Sequence, residues 1–331
     1  MEFKKQKLDL KDKKLLYYLL RDSRMPFTEI AKSVGLSKES VQYRYLKLLE
    51  RKVIKKTYAR VDFEKLGFQR FNLLLLVDEK DKKKQRELMK ALANHPNVVR
   101  INEFSDSWDF EISMIARNVK EFDDKVNELI SPFSNIVIRK DEEVVIVSKY
   151  NHSFSEVHNL KLKDIKAVRT TGQTDFDDYD LQILNQLSKD ARISTYKIAE
   201  QVKLSPDTIG LRIKKMLKNG IIERFTCLLN FLILDYEGFI FCFNTASLSK
   251  EDEVKFFYFM ANQPNVFAVK KILGSWNFKN YVFVKKSLDF HNLIKEIKNK
   301  FSGIVHSYET WVVYEESYYN PFPEVLDGVS L

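Results

Sequence analysis

Two stretches of this chain gather hydrogen-bond donors at helical spacing. Lys38, Ser40, Gln42, Tyr43, Arg44 and Lys47 make the first, and Thr208, Arg212, Lys214, Lys215 and Lys218 make the second. Charge, amide and hydroxyl groups on one helical face suit phosphates and base edges in a DNA major groove. Arg51, Lys55 and Lys56 extend the positive rim of the first stretch. The second is interrupted by Asp207, Gly210 and Leu211 and offers fewer side chains able to read bases. The plainer alternative is an ordinary solvated basic helix. Against it, arginine is scarce, with 14 among 55 basic residues, and Arg24, Arg44, Arg192 and Arg212 recur at matched places. Bonding within the fold is a second use open to Arg24 and Arg192.

No constellation of comparable density suggests catalysis. The five histidines (His95, His152, His158, His291 and His306) pair with no cysteine or carboxylate at metal-ligand spacing. With nine glycines, the chain lacks a phosphate-binding loop, a nucleophile elbow and a dinucleotide fingerprint. Cys227 and Cys242 are too few for a disulfide framework or a four-cysteine zinc site. His95 precedes Pro96 in a turn where the second half of the chain has Gln263, so imidazole is not demanded there. No catalytic residue, metal or cofactor is therefore expected. A net charge of +9 on 331 residues, 44% of them hydrophobic, describes a globular cytoplasmic protein without a secretory signal or membrane span. That charge permits a nucleic-acid partner without requiring one.

The elements that would position these groups are written twice. Sliding the chain by 168 residues aligns Asp9 with Asp177, Arg24 with Arg192, Leu36-Ser37 with Leu204-Ser205 and Arg44 with Arg212. The register continues through Pro96-Asn97-Val98 with Pro264-Asn265-Val266, and through Ser107-Trp108 with Ser275-Trp276. Such agreement marks a tandem duplication. In each copy three helices come first. Leu15, Leu16 and Leu19 line one; Ile30, Ala31 and Val34 a second; and Ser37 caps a third with Val41, Tyr45 and Leu48 inward. The second copy has Ile183, Leu184 and Leu187, then Ile198, Ala199 and Val202, then Ser205 and Pro206 opening a helix with Ile209, Ile213 and Met216 inward. A β-favouring segment follows each third helix, at 53–61 and 221–229. This order predicts a winged helix-turn-helix in each copy.

The rest of each copy reads β-α-β-β-α-β, the order of a ferredoxin-like split βαβ fold. The strands are expected at 70–77, 98–105, 110–116 and 136–147, then at 239–246, 266–273, 278–284 and 304–314. A sheet with helices on one face should alternate toward polar on the other. Instead Leu73 to Val77, Phe239 to Phe243 and Val144 to Val147 are apolar at every step. Both faces must be covered, and the simplest cover is the other copy's sheet in a sandwich-type pairing. The fold class is α+β, with winged helix-turn-helix domains at 1–67 and 175–236, ferredoxin-like domains at 68–150 and 237–320, and a linker at 151–174.

The string Leu8-Asp9-x-x-Asp12-x-x-Leu15-Leu16-x-x-Leu19-x-x-Asp22-x-Arg24, followed by Ile30-Ala31-x-x-Val34-Gly35-Leu36-Ser37-x-x-x-Val41-x-x-Arg44, closely resembles the Lrp/AsnC transcriptional regulators. The match recurs from Phe176 to Ile222 and covers nearly the whole chain twice over. One departure is Lys52, where the family has a helix-ending glycine. The resemblance implies sequence-specific binding of double-stranded DNA, with the two copies acting as an intramolecular pseudo-dimer and further homo-oligomers open to it. It also implies an amino-acid-like effector at the turn between the second and third sheet strands. The matching residues are Asp106, Ser107, Trp108 and Asp109, then Gly274, Ser275, Trp276 and Asn277. Copy one lacks the family's glycine there and copy two its acid, and core filling competes with ligand contact for both tryptophans. Two other readings share the architecture: a siroheme-decarboxylase-like enzyme and a non-specific nucleoid protein. The segments 98–104 and 266–272, where such a decarboxylase carries a tetrapyrrole motif, contain no His or Tyr.

Overall fold

The computed structural model describes residues 5–78, 80–151, 175–245 and 249–328. The first copy runs α1 (Leu10–Arg21), α2 (Phe27–Val34), α3 (Lys38–Glu50), β1 (Ile54–Val61), β2 (Gln69–Val77), α4 (Lys82–Asn94), β3 (Val98–Phe104), β4 (Phe110–Ala116), α5 (Val119–Ile130) and β5 (Val137–Tyr150). The second runs α6 (Asp178–Lys189), α7 (Thr195–Val202), α8 (Pro206–Asn219), β6 (Ile222–Leu229), β7 (Glu237–Thr245), α9 (Lys250–Ala261), β8 (Val266–Leu273), β9 (Phe278–Val284), α10 (Ser287–Lys300) and β10 (Val305–Tyr319). The copies do not form four separate bodies. Both helix-turn-helix segments share one compact unit and both sheets share another. Beyond Asn151, the expected linker, with His152 and His158, lies outside the described residues.

In the helical unit, local chemistry sets each helix end. Asp9, Ser37, Asp177, Ser194 and Ser205 cap helices by accepting a backbone N–H three residues on. Leu15, Leu16, Leu19, Ile30, Val34, Val41 and Leu48 are buried, as are Ile183, Leu184, Leu187, Ile198, Ile209 and Met216. Left-handed backbone ends α2, α3, α7 and α8. Gly35 (φ 67°) and Gly220 (φ 77°) adopt it readily, whereas Lys52 (φ 56°) and Lys203 (φ 59°) are forced into it. The strand after each third helix pairs with its counterpart. β1 and β6 run antiparallel, and Tyr58 faces Thr226. Those two are the same position in the repeat, so a local two-fold axis passes between them.

The same axis relates a reciprocal clasp. Arg24 Nη1 donates to Ala191 O (2.5 Å) and Ile193 O (2.9 Å), and Arg192 Nη1 donates to Ser23 O and Met25 O (3.1 Å). Ser23 N–H also donates to Phe225 O, matched by Ala191 N–H to Thr57 O, each at 3.1 Å. Arg24 and Arg192 therefore serve the fold.

In the sheet unit the expected sandwich is replaced by a closed barrel, ordered β10-β3-β4-β2-β5-β8-β9-β7. β5 and β10 run past the ends expected from sequence, to Tyr150 and Tyr319. With these strands each sheet reaches the other copy: β5 pairs with β8, and β10 with β3. Edge-to-edge closure removes every free strand edge of the two sheets. It also explains the unbroken apolar runs of β2 and β7, whereas in Val144 to Val147 the expected cover is missing, with Ile146 and Val147 exposed. Leu73, Leu75, Phe241 and Phe243 point outward under helices, packed with Leu88, Leu92, Phe122 and Val126 in one copy and with Phe256, Met260, Phe290 and Ile297 in the other. Leu74, Ile240 and Cys242 alternate inward to meet Phe104, Trp108, Ala268, Tyr281 and Trp311 in the lumen.

Candidate nucleic-acid interface

α3 follows α2 through the turn Gly35–Ser37, and the Ser37 side chain accepts from Ser40 N–H at 3.1 Å. The cap fixes the start of the helix, and its buried Val41, Tyr45 and Leu48 fix the roll. Lys38, Gln42 and Tyr43 then project into solvent, with Tyr43 63% exposed. Ser40 is half-buried and its hydroxyl is bonded to that of Ser37. Lys47 Nζ pairs with Glu50 at 2.8 Å and lies 5.8 Å above the Tyr43 ring. Lys55 and Lys56 lie on β1 rather than on the helix. Ser40, Tyr43, Lys47 and Arg51 border a surface cleft of about 460 Å³ against α1. Arg51 is itself tied down, donating to Gln6 Oε1 and Lys7 O at 2.8 Å each.

Arg44, expected on the reading face, is half-buried and lines the same cleft, where it also bonds back to α1. Its Nη1 lies 2.7 Å from both Asp9 Oδ2 and Asp12 Oδ1, which joins α3 to the capped start of α1. The second copy repeats the arrangement, with Arg212 Nη1 at 2.9 Å from Asp177 Oδ1 and 3.0 Å from Asp180 Oδ1. The Asp9 hydrogen bond, then that of Asp12, raises the Arg44 pKa above its ordinary value. At Asp9, burial works the other way, but the Asp12 N–H and Arg44 together hold the carboxyl below the usual aspartate range. Arg44 and Arg212 thus each staple the third helix of their copy to its first.

On α8, Lys214 and Lys215 are exposed, and so is Lys218 in the last turn. Thr208 is half-buried, its Oγ1 2.8 Å from Ser205 Oγ in the cap. Leu211 stands at the position of Tyr43 and is 67% exposed. The two faces are therefore basic at similar places but different in what they offer a base edge.

The stretches matched to an effector turn are largely occupied by structural bonds. Asp109 Oδ2 accepts from Val77 N–H at 2.7 Å, and Asn277 Oδ1 accepts from Thr245 N–H at 2.9 Å. Acid and amide thus perform the same bracing of a neighbouring strand. Trp108 is buried in the lumen cluster with Arg139 stacked 4.0 Å from its ring, and Trp276 packs against the same cluster. Asp106 Oδ2 accepts from Val312 N–H at 2.8 Å. Ser107 and Ser275 are exposed, and their carbonyls accept from Arg139 and Asn244. Gly274 has a steric reason. A Cβ there would lie 3.0 Å from Glu143 Cγ and 3.3 Å from Glu142 O.

Among the described residues no helix is long and apolar enough to cross a membrane. The model of an AsnC-type helix-turn-helix domain matches residues 8–49, and that of a winged helix-turn-helix DNA-binding domain matches 176–223. The chain is 32% identical over 150 residues to the HTH-type transcriptional regulator FL11 of Pyrococcus horikoshii, covering 45% of this chain and 95% of that protein. The FL11 regulator of Pyrococcus furiosus matches at 32% over 151 residues, covering 45% and 95%. Among solved structures, the siroheme decarboxylase NirDL superposes over 96% of each chain with a TM-score of 0.64 and 13% sequence identity. That last likeness is one of fold.

Proposed function

From the premise that the chain belongs to the Lrp/AsnC family of transcriptional regulators, we propose that it binds double-stranded DNA sequence-specifically through α3 and α8 and regulates transcription. The observation that carries this reading is the helical unit itself. It holds two capped basic helices in one body, related by the axis between Tyr58 and Thr226 and clasped by Arg24 and Arg192. Two readers in one body can engage two half-sites together, which single-unit regulators achieve by dimerising. The intramolecular pair is therefore the binding species in this proposal. Its reading groups are Lys38, Gln42, Tyr43 and Lys47, with Lys55 and Lys56 on the adjoining strand, and Lys214 and Lys215 in the second copy. Because Tyr43 and Leu211 differ at one position, the preferred site is asymmetric.

Selection of DNA from a random pool by the purified chain, with and without an amino-acid mixture, tests this. An asymmetric consensus is the expected result. A symmetric palindrome, or retention of DNA without sequence preference, would defeat it. An amino-acid-like effector at the 105–109 and 273–277 turns belongs to the proposal, and identical selections in the two conditions would remove it.

The full-length likeness to NirDL favours one second reading, an enzyme acting on a tetrapyrrole. No His or Tyr lies on 98–104 or 266–272 to serve such a ligand. Titration with siroheme, followed by its absorbance, separates the two readings.

A further inference from the structure

Four charged side chains are buried in the sheet unit among the described residues: Glu111, Glu143, Lys270 and Lys279. All four meet in the barrel lumen. Lys279 Nζ lies 2.6 Å from Glu143 Oε2 and 3.2 Å from Glu111 Oε1. Tyr281 OH lies 2.8 Å from Glu111, and Lys270 Nζ donates to Tyr281 OH at 2.8 Å. Asn72 and Asn102 donate to Glu143 and Glu111 at 3.1 and 3.0 Å.

Their distribution between the copies is not even. Both acids come from copy one and both lysines from copy two. Glu111 and Lys279 are one and the same repeat position, 168 residues apart, diverged to opposite charge. Lys270 stands where copy one has Asn102, and Trp311 where copy one has Glu143. Around a two-fold axis, a barrel closed by two copy-one sheets would bury four carboxylates with no lysine at these positions. One closed by two copy-two sheets would bury four ammonium groups with no acid. Neither can neutralise itself, and unpaired buried charge is among the costliest features a core can contain.

We propose that these four residues form a pairing code: the acid-lined sheet of copy one closes a barrel only with a lysine-lined sheet, so like copies from different chains are excluded. The partner each sheet fits is therefore the other half of this chain, or that half from a second copy of it. A buried polar residue that selects register or partner in a helical assembly uses the same logic.

The test uses full-length chains. Glu111→Lys leaves three lysines against one acid in the lumen, and Lys279→Glu leaves three acids against one lysine. Each variant alone is expected to melt about 10 °C below the parent or to fail to fold. Glu111→Lys combined with Lys279→Glu in one chain restores a balanced lumen and should recover most of that loss. Co-expressed with different affinity tags, the two single variants should co-purify as a 1:1 pair, because each chain's copy one then complements the other's copy two. Parent chains carrying the same two tags should not co-purify. Single variants that melt like the parent would overturn the proposal. So would a double variant no better than the singles together with no co-purified pair, whether or not the singles fold.

Discussion

Arg44 Nη1 lies 2.7 Å from Asp12 Oδ1, and Arg212 Nη1 lies 3.0 Å from Asp180 Oδ1 at the same place in the second copy. Asp12 and Asp180 are buried and take charge compensation from these arginines, with Arg51 Nη1 also 4.0 Å from Asp12. Arg44→Ala should therefore lower the unfolding free energy by roughly 1–3 kcal/mol, since a buried carboxylate loses charged hydrogen bonds. Arg44→Lys should recover only part, because the shorter lysine must bring its ammonium to the single point between both carboxylates that Arg44 Nη1 occupies. Chemical denaturation measures both. An unchanged midpoint in Arg44→Ala would mean that the pair contributes nothing.

Lys47 sits differently. Its partner Glu50 is exposed and the pair lies at the surface, so Lys47→Ala should leave stability essentially unchanged. Its effect should appear in DNA binding. A lost phosphate contact reduces the slope of log affinity against log salt by about 0.9. A titration series at several salt concentrations reads this directly, and an unaltered slope would take Lys47 off the interface.

These two cases show what the residue pattern reveals and what it hides. The duplicated register exposed the helices, the strand order and both matched arginines. It could not say which way the arginines point, because a staple and a reading group recur equally well in a repeat. The staple shows only in the distance from Arg44 to Asp12, 32 residues back along the chain. The same limit hid the barrel. Ser148, Lys149 and Tyr150 lie past the strand expected at 136–147, and only Lys270, Val269 and Ala268 of the other copy, brought alongside, make them part of it. The lumen charges were missed because Glu111 and Lys279 lie in ordinary alternating strands. Comparing the aligned positions for opposite charge was the signal available.

Lys52 and Lys203 hold left-handed backbone that costs an L-residue about 1 kcal/mol, while Gly220 and Gly35 hold the equivalent sites. Lys52→Gly and Lys203→Gly should each stabilise the helical unit by up to about 1 kcal/mol, less the entropy that glycine adds to the unfolded chain. Thermal melts would register both as small upward shifts. A downward shift would mean that the lysine side chains contribute more than their backbone strain removes.

Acid should weaken the barrel by way of Glu111. Burial alone would push its carboxyl up, but Lys279, Lys270, the Tyr281 hydroxyl and the Asn102 amide outweigh it and hold the pKa down at about 2. A folded pKa below the unfolded value contributes stability that is present in full above about 4.3 and is lost as pH falls through the folded value. Glu143, raised mainly by burial, opposes this by favouring its protonated form. The expected signature is a fall in barrel stability between about pH 4 and pH 2 that Glu111→Gln abolishes. A variant as acid-sensitive as the parent would assign the transition elsewhere.

The axis between Tyr58 and Thr226 has a consequence for how this molecule can change. In an assembly of identical subunits every substitution arrives twice, once on each side of the axis, and a residue on the axis always meets itself. Here each codon is represented once. Tyr58 could become opposed by threonine through a single genetic event that a symmetric homodimer cannot make. The two halves are free to drift as a matched pair, and selection acts on the match.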